Sequence, residues 1–201
     1  MIKKESRQGG VRERTAPLCF FSTVDSPIGD IVIIWTTHAP LSSSIQRILL
    51  PHESSETEAG IREYCPYARK RKMMPFPGLK KVLRNFMKEH TDITDRGFFD
   101  FSWSTRFEKS VLRHVQKINP GHVISYGELA RQTGNACASR AVGNTLRKNP
   151  FPLIFPCHRV IRSDRRIGGF HSGVHWKKKI LAHEGVFFDE SGRLVRGAFL
   201  N

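Results

Sequence analysis

The chain has 201 residues, enough for one or two domains. Its 33 Lys+Arg against 18 Asp+Glu give a formal net charge of +15, while 39% hydrophobic content excludes a disordered polycation. No apolar run reaches the roughly 18 residues of a membrane span. The start, Met1–Arg14, is polar and basic, with no apolar stretch of a secretory signal.

The charge is uneven. Residues 1–100 hold 16 basic and 12 acidic side chains, and residues 101–201 hold 17 and 6. Between Arg140 and Lys179, ten bases stand against one acid, Asp164. A packed protein with one strongly basic half points to a polyanion, either nucleic acid or an anionic membrane surface. Four cysteines, Cys19, Cys65, Cys137 and Cys157, do not make a disulfide scaffold at this length, and their expected state is reduced. With no Cys-x-x-Cys, and no His pair at ligand spacing beside the cysteines, no structural metal is expected.

In chain order, residues 1–17 lack periodicity and read as a flexible basic leader. Leu18–Val24 and Asp30–Thr36 are β-branched and aromatic runs around Ser26-Pro-Ile-Gly29, which predicts a β-hairpin. Ile45–Leu50 predicts a third strand. Residues 51–75 are polar and carry Arg69-Lys-Arg-Lys72, a phosphate contact or targeting signal, with a solvated loop as the default. Leu79–His90 places Leu79, Val82, Leu83, Phe86 and Met87 at helical spacing. Thr91–Asp100 reads as a linker with a strand at its end. The first half, residues 18–100, is thus a small α/β domain that carries no chemistry.

Residues 101–201 read as a mainly α domain with a short C-terminal tail. Phe107, Val111, Leu112, Val115 and Ile118 share one helix face, stopped by Asn119-Pro-Gly121. After His122–Tyr126 comes a short helix, Gly127–Thr133, with Ser125 as N-cap and Glu128 as capping-box partner. Gly134-Asn135 turns the chain into a second short helix, Ala138–Leu146, the outline of a helix-turn-helix. On that second helix Arg140, Asn144 and Arg147 share one face, and Val142 and Leu146 another. One side can pack while the other offers donors to a groove.

Asn149–Pro156 holds three prolines in eight residues and reads as a rigid, extended, buried stretch that delivers Cys157. His158 and Arg159 follow. A cysteine among cations is set up to ionise, and the thiolate is the nucleophile. A water can bridge Cys157 and His158. A carboxylate is needed to fix the His tautomer; Glu184 ranks ahead of Asp164, which sits among arginines.

Pro156-Cys-His-Arg-Val160 resembles the active-site signature of the methylated-DNA–protein-cysteine methyltransferases, the alkylguanine-DNA alkyltransferases. Val123–Tyr126, Arg140-Ala-Val-Gly143, Asn149-Pro150, Gly168-Gly169 and Leu181–Gly185 occur in that family's order and near its spacings. The resemblance covers about residues 103–186 strongly, and the hairpin around Ser26–Gly29 more weakly matches the family's ribonuclease-H-like first domain. It implies single-turnover transfer of an alkyl group from the 6-oxygen of guanine to Cys157, with the damaged base flipped out of the duplex. Cys157, His158, Glu184 and Tyr126 are then catalytic. Arg140 would replace the flipped base, and Tyr126, Ser139, Asn144, Arg147 and Lys177 would join it at the DNA. Pro152, Asn149, Val160, Gly168, Gly169, Phe170, His171 and Ser172 would line the pocket. Phe170-His171 departs from the family's usual Tyr followed by Ser or Arg, which bears on the alkyl size accepted.

The zinc ligands of some relatives have no counterpart here, so neither metal nor cofactor is expected. The implied partner is double-stranded DNA holding alkylated guanine, entered from the minor groove by a monomer, with no membrane. The implied location is intracellular, the cytoplasm of a prokaryote or the nucleus of a eukaryote. A non-catalytic lesion-recognition protein of the same fold is the alternative; such relatives replace the cysteine that Cys157 supplies. A helix-turn-helix regulator would leave Pro156–Val160 unexplained.

Overall fold

The computed structural model describes residues 18–38, 42–51, 54–86 and 97–200. The predicted leader, the end of the Leu79–His90 helix and most of the 91–100 linker lie outside them.

The predicted hairpin forms. Strands β1 (Leu18–Val24) and β2 (Ile31–His38) pair antiparallel, Leu18 opposite Thr37 and Val24 opposite Ile31. Their turn closes with Gly29 N–H donating to the Ser26 carbonyl at 3.0 Å, and Gly29 takes φ 116°, where a side chain would be strained. Strand β3 (Ser42–Leu49) pairs antiparallel with β2. The apolar run Ile31–Trp35 is buried at every position because both faces of β2 are covered. Ile31, Ile33 and Trp35 enter the main core, while Val32 and Ile34 meet Ile61 on the other side.

Ile61 belongs to α1 (Ser54–Tyr64), a helix in the segment read as a polar loop. Its sequence is polar because only one narrow stripe packs, too weak a periodicity to stand out. The basic run is not a free loop either. Arg69–Lys70 forms β4, parallel to β1, with all four cations exposed. The first sheet therefore runs β3-β2-β1-β4, antiparallel except at β4. Cys19 and Cys65, expected as free thiols, are joined by a disulfide across a Cα–Cα distance of 6.5 Å. The strand–helix packing brings together residues that are 46 apart in sequence.

Helix α2 (Leu79–Asn85) packs on β1 and buries Leu79, Val82 and Leu83. The strand expected near residue 100 is a single bridge between Ile45 and Phe99. Helix α3 (Arg106–Gln116) opens on a capping box between Thr105 and Glu108 and buries Val111, Leu112 and Val115. After β5 (His122–Ser125) comes α4 (Tyr126–Gln132). Ser125 caps it by accepting from the Glu128 N–H at 3.0 Å, as expected. The Glu128 carboxylate does not complete a box; it turns to Arg131 at 2.6 Å, a nearer cation. Helix α5 (Ser139–Lys148) buries Val142 and Leu146 and exposes Arg140, Asn144 and Arg147.

The second half holds more strand than expected. Parallel pairing of β5 with β6 (Val160–Ile161) and β9 (Ala198–Leu200) makes a three-stranded sheet. A hairpin of β7 (Phe187–Phe188) and β8 (Leu194–Arg196) follows α6 (Val174–His183). These strands are two to four residues long, too short for alternation to register in the sequence. The tail is thereby part of the fold, and Phe199 and Leu194 pack against Val123 and Leu181. One hydrophobic core runs through both halves, with Phe99, Phe101, Phe151 and Phe155 ring against ring at centroid spacings of 5.0 to 6.4 Å. No helix among the described residues is long and apolar enough to cross a membrane.

Candidate active site

The proline-rich segment is not extended. Its prolines exclude a regular helix, but the Phe155 N–H reaches the Phe151 carbonyl at 3.0 Å, closing a compact turn. Leu153 sits inside it at φ 72°, a conformation costly for a branched residue and held here by burial. Asn149 ties the turn together. Its Nδ2 donates to the Phe155 carbonyl at 2.8 Å and its Oδ1 accepts from the Phe151 N–H at 3.0 Å. The same Nδ2 reaches Cys157 Sγ at 3.2 Å, so this asparagine touches the sulfur as well as the turn. Cys157–Arg159 then makes one 3-10 turn and passes into β6.

That turn throws three consecutive side chains in different directions, all buried. Cys157 faces a cavity. His158 Nε2 lies 3.1 Å from Glu184 Oε1. Arg159 does not face the sulfur as its position beside it had suggested. Its guanidinium grips Glu184 at 2.6 and 3.0 Å and donates to the Ile118 carbonyl at 2.6 Å and the Phe86 carbonyl at 3.3 Å. Asp164, the rival carboxylate, is exposed and paired with Arg162.

The electrostatics follow from this packing. Burial works to raise the Glu184 carboxyl, but His158 and Arg159 overcome it and hold it below the ordinary carboxylate range. Burial also pushes the His158 imidazole down, against the pull of Glu184, so the ring is neutral. An ionised Glu184 only accepts; His158 therefore carries its proton on Nε2 and leaves Nδ1 as the basic nitrogen. Nδ1 is buried and, among the described residues, has no hydrogen-bond partner. Burial raises the Cys157 thiol, with the Asn149 amide and the Lys177 cation opposing. The thiol is a protonated group that must lose its proton to react.

Lys177 was expected at the DNA surface. It is instead fully buried, with Nζ donating to the Val160 carbonyl at 2.6 Å and the Gly169 carbonyl at 3.3 Å. The reason is its place in α6, on the stripe of Trp176, Ile180 and Leu181 that faces inward. That spacing was the available signal. Val160, expected to line the pocket, is wholly buried and contributes only its carbonyl.

Burial lowers Lys177 to about 7, with Cys157 opposing. The folded chain thus binds fewer protons at this site than the unfolded chain between about pH 7 and the ordinary lysine value of 10.5. The cost of burying Lys177 is fully present below pH 7 and is relieved as pH rises. Denaturation of the wild type and Lys177→Met at pH 7 and pH 9 should show the wild type gaining stability relative to the variant. A gap that stays flat or moves the other way contradicts this account.

Tyr126 stands at the start of α4, and its phenol is raised by burial, then by Cys157, so it stays a donor. Gly168 lies against it at φ 69°, a backbone conformation that favours glycine; a Cβ there would make ordinary contact at 3.5 Å from the Tyr126 ring. Tyr126, Gly143, Arg147, Cys157, Gly169 and Phe170 line a cavity of about 400 Å³, inside the roughly 300–1,000 Å³ range of small-molecule sites. One of its walls is α5, whose exposed side chains Arg140, Asn144 and Arg147 include one, Arg147, at the cavity. Ser139 is half-buried at the first turn of α5. Pro152, Asn149, His171 and Ser172 line a second cavity of about 340 Å³ that also meets Cys157.

A buried cysteine thus stands beside a buried pair of a neutral histidine and an ionised carboxylate and opens to a cavity walled in part by α5, the helix that exposes Arg140, Asn144 and Arg147. A family model described as "6-O-methylguanine DNA methyltransferase, DNA binding domain" matches residues 106–186. The chain is 39% identical over 115 residues to the methylated-DNA–protein-cysteine methyltransferase of Methanothermobacter thermautotrophicus, covering 56% of this chain and 64% of that one. Against the human protein of the same name it is 45% identical over 80 residues, 39% of each. It thus spans less than two thirds of these curated relatives. Among solved structures, that of Mycobacterium tuberculosis OGT in complex with DNA is similar at a TM-score of 0.61 and 27% identity, over 82% of this chain and 92% of that one. O6-methylguanine-DNA methyltransferase of Pyrococcus kodakaraensis is similar at 0.64 and 26%, over 83% and 100%.

Proposed function

We propose that this chain repairs DNA directly, transferring an alkyl group from the 6-oxygen of guanine to Cys157, once per molecule. The observation that carries this reading is the buried His158–Glu184 pair next in the chain to Cys157, whose side chain lines a cavity walled in part by α5. Glu184 fixes the His158 tautomer and His158 Nδ1 takes the thiol proton through a water. The thiolate attacks the alkyl carbon in line, forming the S–C bond as the C–O bond breaks. The bonding pair leaves with guanine, and the Tyr126 phenol donates a hydrogen bond or proton to the purine to ease departure. Regenerating the thiol would need a second nucleophile to displace the thiolate from an unactivated carbon, a slow step for which the site supplies no group, so the protein is spent.

A thiolate cannot reach that oxygen inside a duplex, so the base must be extruded. On this reading α4 and α5 form a helix-turn-helix, α5 enters the minor groove, and Arg140 fills the gap in the stack. Arg147 and Asn144 sit on the same exposed face for phosphate and sugar contacts. The first half is a ribonuclease-H-like domain, and the protein acts as a monomer. Asn149, Pro152, Gly168, Gly169, Phe170, His171 and Ser172 enclose the base and its substituent, and Lys177 positions Val160 and Gly169.

The test is stoichiometric. Duplex carrying O6-methylguanine, in excess, should be repaired to a plateau of one guanine per protein; continued turnover or no repair contradicts the proposal. Arg140→Ala should slow transfer on duplex, since flipping costs a few kcal/mol and each 1.4 kcal/mol is about tenfold in rate. A slowing of roughly 10- to 100-fold on duplex, with little change on the free base, is expected. Equal slowing on both removes Arg140 from flipping.

A further inference from the structure

The basic run Arg69-Lys-Arg-Lys72 has no part in the repair chemistry, yet the fold gives it a fixed place. Arg69–Lys70 pairs with β1 as the edge strand β4. Arg71 continues that edge: its N–H donates to the Phe21 carbonyl at 2.8 Å, and its carbonyl accepts from Ser22 Oγ at 2.9 Å. Its guanidinium lies over the Phe20 ring at 5.0 Å. Just ahead of the run, Cys65 is bonded to Cys19 of β1. Four consecutive cations are thus held in a row on anchored backbone, and all four are exposed.

Helix α2 packs on β1, the neighbour of β4, and adds exposed Lys80 and Lys81. Residues 65–86 hold seven basic side chains and no acid. One of the seven, Arg84, is taken by Asp25; the other six form no ion pair among the described residues. Asp30 and Glu58 share a hollow with Lys70, and Glu58 is paired with Arg62. Crowded like charges repel one another and attract phosphate. Cations also guard a sheet edge against strand addition, but that does not account for Lys80 and Lys81, which sit on a helix. Tyr67 and Met73, 91% and 85% exposed, flank the run as uncovered apolar side chains.

The patch stands apart from α5. The sheet runs β3-β2-β1-β4, and its β3 edge meets the second half, where the Ile48 N–H donates to the Pro150 carbonyl at 2.8 Å just after α5 ends. β4 is the opposite edge, about 14 Å away at ordinary strand spacing. Cations there are out of reach of a base extruded beside α5.

We propose that β4 and α2 form a second DNA-binding surface, which holds a separate duplex by its phosphates, without reading sequence, while α5 holds the duplex under repair. The protein then bridges two DNA segments. This goes beyond the repair reading and shares with it only the placing of DNA on α5.

The test is a two-duplex retention assay. A short immobilised duplex carrying O6-methylguanine is saturated with protein and washed, and a fluorescent undamaged duplex is titrated over it at several salt concentrations. The wild type should retain the second duplex. A variant with Arg69→Ser, Lys70→Ser, Arg71→Ser and Lys72→Ser should bind it at least about tenfold more weakly, with the salt slope shallower by roughly 3 to 4, since each phosphate contact contributes about 0.9. Lys80→Ser with Lys81→Ser should weaken it in the same direction and decides the matter if the first variant fails to fold. A control with Arg106→Ser, Lys109→Ser, Arg113→Ser and Lys117→Ser removes four exposed charges from α3 and its end and should retain the duplex. A wild type that holds one duplex only, including one that floats with phosphatidylserine vesicles instead, overturns the inference. So does retention unchanged in both variants, or lost equally in the control. Methyl transfer from a single duplex should be unchanged in the β4 variant; absence of transfer in every protein defeats the repair reading and leaves the retention result to stand by itself.

Discussion

Cys157→Ser should reduce alkyl transfer to the uncatalysed level while leaving duplex affinity unchanged. Serine is close in size, but its hydroxyl ionises far less readily than a thiol, so the His158–Glu184 pair cannot generate a comparable nucleophile. The substitution loses at most one weak bond to sulfur, so stability should hold within about 1 kcal/mol. Only 8% of Cys157 is exposed, too little to contribute a phosphate contact. Rapid-quench transfer and a binding isotherm at fixed salt check both halves. Retained transfer would mean another acceptor, with Cys137 the exposed free thiol available.

The second large effect is on folding. Glu184→Ala leaves the Arg159 guanidinium buried at 3% exposure without a carboxylate, and removing one partner of such a pair costs roughly 3–5 kcal/mol. Arg159 also ties α6 to the carbonyls of Ile118 and Phe86, so the loss loosens contacts between the two halves. Urea denaturation should show the unfolding free energy lowered by that amount, with transfer falling even where the variant is folded, because His158 loses the acceptor that sets its tautomer. Restoring stability with Arg159→Met in the Glu184→Ala background should not restore transfer. A Glu184→Ala variant of wild-type stability contradicts the pairing.

The sequence made the chemical centre readable because its residues are contiguous or fixed by a helix end. Cys157 and His158 are neighbours, and Glu184 was favoured over Asp164 on surrounding charge alone; Glu184 Oε1 lies 3.1 Å from His158 Nε2, while Asp164 is exposed and paired with Arg162. The face of Arg140, Asn144 and Arg147 followed from helical period. The parts that were not legible depend on packing across the chain. Lys177 looks like a surface cation until its register in α6 is set against Ile180 and Leu181. Arg159 reads as a neighbour of the thiol until the 3-10 turn points it the other way. The polar sequence of α1 hid a helix that completes a cavity at Cys157, and pairing Cys19 with Cys65 required that helix to be placed first.

The central claim is that one sulfur accepts the alkyl group. The protein, incubated with a duplex holding O6-methylguanine, should be weighed intact and then digested for peptide mapping by mass spectrometry. A single added methyl on Cys157, with Cys19, Cys65 and Cys137 unmodified, is the result predicted. Tight binding of the damaged duplex with no methyl on Cys157 would contradict it.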